Sequence, residues 1–236
     1  MKKVLTFEDG KKLFHELCSL ISDCAGRAID TNGLFSMALS GGKTPRALYE
    51  TLSEGSFDRI DWSRTFLFWG DERFVPEDHP ESNYRMAKES LLSRIPIPPG
   101  NVFPVPTGMR TVESSAIVYE KTVKGFFKGE DFPRFDLVLL GLGEDGHVAS
   151  LFSGGAGMEE TIRWVTSAEA PETYAVRQRI TLTFPAINNA RTVVMLVTGE
   201  KKREILGRVL KNEGGYPAAK VRPTGNFFVF TDLEGF

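Results

Sequence analysis

The sequence predicts an α/β protein built on a doubly wound, mostly parallel sheet with helices on both faces, in the Rossmann-like manner. Three observations carry that reading. Short apolar runs at 34–39, 65–69, 136–140 and 192–197 alternate with segments of helical periodicity. Two of those runs, DLVLL at 136–140 and TVVMLV at 192–197, are apolar at nearly every position, as strands covered on both faces are. Each of the four runs leads directly into a glycine-rich or charged segment, which is where open parallel sheets carry their ligand loops.

Taken in order, residues 8–29 place Leu13, Phe14, Leu17, Leu20, Ile21 and Cys24 at helical spacing. A strand at 34–39 and a helix at 44–52 follow. TFLFW at 65–69 reads as a buried strand, and a loop then leads to a helix at about 82–92. IPIPPGNVFPVPTG at 95–108 is too rich in proline for regular structure. A helix at about 112–127 precedes the strand at 136–140. Further strands are expected at 179–183, 192–197 and 227–230, with an apolar-striped helix at 200–210. There is no internal repeat, and the proline-rich stretch reads as a long surface crossing. A single domain over 1–236 is therefore expected.

The chain has 236 residues, of which 41% are apolar and 25% charged, so its core needs no disulfide or metal staple. Net charge is −2 with scattered basic residues, which argues against nucleic acid and anionic membrane as partners. An anionic ligand must instead meet a local site. Cys18 and Cys24 fall in one helix about 120° apart, which suits buried free thiols in a reducing cytoplasm. The start, MKKVLTFEDGKK, lacks a signal-peptide apolar run, and no stretch is long enough to span a bilayer. The expectation is a soluble, cytoplasmic monomer or small homo-oligomer. With three histidines (His15, His79, His147) and two cysteines, no zinc ligand set is apparent.

The chemistry collects in the four segments that follow the apolar runs: SGGKTP (40–45), GDER (70–73), GLGEDGH (141–147) and TGEKK (198–202). In SGGKTP, two glycines permit close backbone approach, Thr44 suits an N-cap and Pro45 the first helical turn, so free N–H groups there would hold a phosphate. A nucleotide P-loop is excluded, because its first glycine would fall on Met37. A serine-nucleophile elbow at Ser40 fits poorly, since the helix would start about four residues too late. GLGEDG satisfies G-x-G-x-x-G, but the following segment is too short for a crossover helix and two carboxylates would repel a pyrophosphate. The economical reading is that His147 is a reactive group oriented by Asp145 and Glu144.

These segments, in this order, resemble the glucosamine-6-phosphate isomerase/6-phosphogluconolactonase family. The resemblance runs through SGGKTPRALY (40–49), WGDERFVPEDHPESNYRMAKESLL (69–92), GLGEDGHVASLF (141–152), RITLTFPAINNA (179–190), LVTGEKKREIL (196–206) and PAAKVRPTGNFFVFTD (217–232). Lys43 stands where serine is common, and Ser153 where proline usually follows LF. The resemblance implies a carboxylic ester hydrolase opening 6-phosphogluconolactone to 6-phosphogluconate in the oxidative pentose phosphate pathway, with no organic cofactor and no required metal. It implies that Ser40, Gly41, Gly42, Thr44, Arg179 and Lys202 hold the phosphate. Asp71 and Arg73 would line the sugar site, Arg73 being a candidate to stabilise the oxyanion. His147 would be the general base, supported by Asp145. Two rivals are a glucosamine-6-phosphate deaminase and a non-catalytic sugar-phosphate sensor. The deaminases carry an acidic residue shortly after D-G-H, whereas this chain reads A-S-L-F, ending in Phe152. A sensor usually needs an output module, and the fold consumes the chain.

Overall fold

In the computed structural model, which describes residues 2–55, 57 and 59–236, the chain runs β1 (Lys2–Thr6), α1 (Gly10–Asn32), β2 (Phe35–Leu39), α2 (Lys43–Glu54), β3 (Thr65–Trp69) and β4 (Asp71–Arg73). It continues through α3 (Asn83–Ser90), α4 (Val112–Phe126), β5 (Leu137–Gly141), β6 (Val165–Glu169) and β7 (Gln178–Leu182). The last elements are α5 (Phe184–Asn188), β8 (Thr192–Val197), α6 (Arg203–Leu210) and β9 (Asn226–Thr231). Six strands pair in the order β1-β9-β8-β5-β2-β3, every ladder parallel. Strands β2 and β8 are buried at every position, so both faces of the sheet are covered, as continuous apolar runs require.

The helices form where caps and apolar spacing coincide. Asp9 accepts from the Lys12 N–H at 2.8 Å to start α1, and Gly33, at φ 80°, ends it in the left-handed conformation. Leu13, Leu17, Ile21, Cys24 and Ala28 face the core from this helix, and both cysteines are buried free thiols. Burial pushes the Cys18 thiol up to about 12, which leaves it inert. The proline-rich 95–108 stretch is irregular apart from a short 3-10 turn at Pro99–Asn101. No helix is long and apolar enough to cross a membrane, among the described residues.

The structure departs from the sequence reading at GDER, at Thr44 and at 200–202, and adds strands β1 and β6, which the reading lacks. GDER was expected as a loop, yet Asp71–Arg73 is a strand, because it pairs antiparallel with β7 in a second sheet ordered β4-β7-β6. The 179–183 run is a strand as expected, and it lies at the centre of this ribbon, between β4 and β6. Thr44 does not cap α2: Gly42 does, at φ 108° and with no side-chain bond, while the Thr44 hydroxyl meets that of Thr198 at 2.8 Å. The helix expected at 200–210 opens with a 3-10 turn, Glu200–Lys202, before α6.

Candidate active site

Strand β3 lies on one side of β2 and β5 on the other, so the winding reverses between β2 and β5. In such sheets the crevice outside the carboxyl ends at that point receives ligands. Here Ser40 and Gly41 leave β2, and Gly141, Leu142 and Gly143 leave β5, around a cavity of about 140 Å³. Six of the ten candidate residues line it: Ser40, Gly41, Asp71, Arg73, His147 and Arg179. Gly42, Thr44, Asp145 and Lys202 stand outside that lining. Two of the four connect to the neighbouring loops: Thr44 joins the β8 loop through Thr198, and Asp145 bonds His147.

Two buried tyrosines finish the strand ends that feed the site. The Tyr49 hydroxyl accepts from the Ser40 N–H at 2.9 Å and donates to the Ser40 carbonyl at 2.8 Å. Tyr119 does the same for Trp69, at 2.8 and 3.0 Å. Each phenol thus satisfies the two polar groups of one residue at the end of its strand.

The histidine loop is held by backbone bonds from Gly143 N–H to the His147 carbonyl (2.9 Å) and from Gly146 N–H to the Gly143 carbonyl (3.1 Å). Gly146 sits at φ 79°, a conformation that glycine adopts freely. Asp145 Oδ1 lies 2.5 Å from His147 Nδ1 and also accepts the His147 backbone N–H at 3.2 Å. Burial pushes the Asp145 carboxyl up, but the hydrogen bond and charge of His147 outweigh it, leaving the group below the usual carboxylate range. With Nδ1 engaged, Nε2 is the ring nitrogen left to work on a ligand. Phe152 packs at 4.5 Å from the imidazole, ring centre to ring centre, and Tyr174 stands edge-on at 5.8 Å.

The opposite wall is the β4–β7 ribbon, where Asp71 pairs with Thr181 and Arg73 with Arg179 across the strands. Arg179 is only 4% exposed, yet among the described residues its Nε has no partner, and the buried Nε of Arg73 is likewise orphaned. Arg73 is otherwise held by the Glu81 carbonyl, 2.5 Å from its Nη1. Burial and the adjacent Arg73 charge both lower the Arg179 guanidinium from its ordinary value. Two neighbouring cations with unspent donors form a wall suited to an anion. The Lys202 ammonium is lowered by burial, against the pull of Glu144 and Asp145.

Three further residues of the cavity wall, and one buried carboxylate bonded to its neighbours, were not legible as site residues. Asn83 lines the cavity and donates to the Asp71 carbonyl at 2.9 Å; any side chain at position 41 would collide with its amide, which explains Gly41. Its place at a helix start just after GDER was the available signal. Ser150 donates to Asp71 Oδ2 at 2.6 Å. Tyr174 and Glu72 complete the set. Glu72 is 1% exposed and accepts the N–H groups of Arg73, Asn83 and Tyr84, each at 2.7 Å. Burial pushes its carboxyl up to about 7 against those bonds.

A doubly wound sheet with a histidine–carboxylate pair facing a buried Arg179 and a half-buried Arg73 at its switch point defines an α/β protein with a site for a small anionic ligand. The chain belongs to the family described as glucosamine-6-phosphate isomerases/6-phosphogluconolactonase, whose family model matches residues 8–229. It is 41% identical over 213 residues to a 6-phosphogluconolactonase of Synechocystis sp., covering 88% of this chain and 86% of that one. It is 36% identical to a 6-phosphogluconolactonase of Nostoc sp., covering 98% and 95%. Among solved structures, a 6-phosphogluconolactonase from Thermotoga maritima superposes with a TM-score of 0.86 at 32% identity, covering 98% of this chain and 99% of that chain. One from Trypanosoma brucei gives 0.87 at 30% identity, covering 98% and 96%.

Proposed function

We propose that this protein hydrolyses 6-phospho-D-glucono-1,5-lactone to 6-phospho-D-gluconate. The observation that carries the reading is the Asp145–His147 pair facing Arg73 and Arg179 across one cavity. The names of the relatives, at 36–41% identity, support the same substrate. Asp145 holds the Nδ1 proton, so Nε2 is free to take a proton from water as that water adds to the lactone carbonyl. The tetrahedral oxyanion then collapses, the bond from carbonyl carbon to ring oxygen breaks, and the ring oxygen leaves with the proton returned by the imidazolium. A lactone is already a reactive electrophile, so one positioned base suffices without a covalent intermediate.

The phosphate lies against the Ser40–Thr44 turn, with Arg179 and Lys202 supplying charge. Arg73 stabilises the oxyanion, and Asp71 meets the sugar hydroxyls. With this reading go a single domain over 1–236, a monomer or small homo-oligomer, a cytoplasmic setting, and a place in the oxidative pentose phosphate pathway. Purified protein given fresh lactone should release acid well above the spontaneous rate; a rate equal to the blank refutes the reading. A deaminase is disfavoured because Phe152 occupies the position after A-S-L and packs on His147. Ammonia release from glucosamine 6-phosphate at an ordinary enzymatic turnover would reverse that choice.

A further inference from the structure

We propose that Ser150 is a positioning residue of this site: its hydroxyl fixes the Asp71 carboxylate, and that bond locks the loop carrying His147 onto the ribbon carrying Arg73 and Arg179. The proposal rests on the hydrolase reading above and adds to it a residue outside the proposed substrate contacts.

The base and the cations stand on different parts of the fold. His147 follows a parallel strand, whereas Arg73 and Arg179 stand on an antiparallel ribbon. Side chains two apart on a strand share a face, so Asp71 and Arg73 on β4, with Thr181 and Arg179 opposite, form one four-residue wall. Ser150 meets the Asp71–Thr181 end of that wall twice. Its hydroxyl donates to Asp71 Oδ2 at 2.6 Å, and its backbone N–H donates to Thr181 Oγ1 at 3.2 Å. Ser150 is 1% exposed and Asp71 7%, so little solvent competes for either bond.

The backbone is bent to make this contact. Ala149 sits at φ 49°, a left-handed conformation that a non-glycine residue adopts at a cost, and a Leu151 N–H to Val148 carbonyl bond of 2.9 Å closes the turn. Asp71 is further held at its backbone carbonyl by Asn83. With Oδ2 committed to Ser150, Oδ1 has no protein partner among the described residues and is the atom left for a substrate hydroxyl. A hydroxyl that merely satisfied its own hydrogen bond would need neither the left-handed residue nor a carboxylate in the cavity wall.

The test is a double-mutant cycle on lactone hydrolysis with Ser150→Ala, Asp71→Asn and the pair, with melting temperature read on the same preparations. Ser150→Ala should lower kcat roughly 10- to 100-fold, the loss that about 1 Å of misplacement causes. KM should stay within about threefold, and adding the change to Asp71→Asn should cost little more. Ser150→Cys, which keeps the packing but donates weakly, reads the same effect if the alanine variant folds poorly. Undiminished kcat in a folded Ser150 variant overturns the proposal, as does a loss that adds fully to that of Asp71→Asn. An inactive wild-type protein refutes the hydrolase reading itself, whereas an active wild type with an unaffected Ser150 variant refutes the positioning role alone.

Discussion

Gly143→Ala tests the base through a residue that carries no chemistry. A β-carbon at position 143 would fall 2.5 Å from Asp145 Oδ1 and would overlap His147 Nδ1 as well. Ordinary contact begins near 3.4 Å, so the carboxylate and the ring both have to retreat by about 1 Å. The loop cannot yield instead, because the Gly143 N–H and carbonyl are both bonded within it. A displacement of that size at the reacting group costs on the order of 10²-fold in rate, and the ceiling is the ~10²–10⁴-fold that general-base help contributes. Gly143→Ala should therefore lose about 10²-fold or more in kcat, approaching His147→Gln, while KM changes little. The assay is acid release from fresh lactone, with melting temperature on the same sample. The atoms that must move are the ends of two side chains, so melting should shift by only a few degrees. If Gly143→Ala keeps more than about a third of wild-type kcat, against the loss expected for a displaced base, His147 is not the base and Asp71 becomes the next candidate.

Other perturbations read other parts of the site. Arg179→Ala and Lys202→Ala should each raise KM on the order of 10- to 150-fold, as loss of a charge-assisted phosphate bond of roughly 1.5–3 kcal/mol requires; unchanged KM in both would place the phosphate elsewhere. Glu72 tests the buried clasp between β4 and α3: its carboxyl is raised to about 7 when folded, so its stabilising contribution is full below the unfolded value of 4.5 and is lost as pH rises to 7. The stability difference between wild type and Glu72→Gln should accordingly shrink by on the order of 3 kcal/mol between pH 4.5 and 7, and a pH-independent difference would contradict it. Tyr49→Phe removes the partner of both Ser40 backbone groups and should cost about 1–3 kcal/mol in denaturant melts, with a rise in KM if Ser40 meets the phosphate.

How much of this was readable depended on whether neighbours or the local sequence set the structure. Strands β2, β3, β5 and β8 announce themselves because a strand covered on both faces must be apolar throughout. KKVLT (β1) and VTSAE (β6) carry no such pattern, since β1 is exposed or half-buried throughout and β6 is buried only at Val165, and each becomes a strand through its pairing. DER (β4) has no apolar residue and is a strand because β7 offers it a ladder. The site divides along the same line. Residues just past the end of an apolar strand, such as Ser40, Asp71 and His147, could be placed from the strands before them. The pairing of Arg73 with Arg179, and of Ser150 with Asp71, arises between segments far apart in the chain that no periodicity links. Thr44 shows the converse error: its cap propensity was real, but a hydroxyl on a distant loop won the contact.

The cross-strand arginines place two like charges side by side, only partly offset by Glu81, 3.6 Å from Arg73, and by the nearby Asp71 carboxylate. Two guanidiniums facing one cavity, each with an idle buried donor, are held side by side by the surrounding fold against their own repulsion. An anion bound between them would relieve that repulsion, so ligand binding should stabilise the fold. Under the proposed function, a phosphorylated ligand should therefore protect the protein against heat and proteolysis.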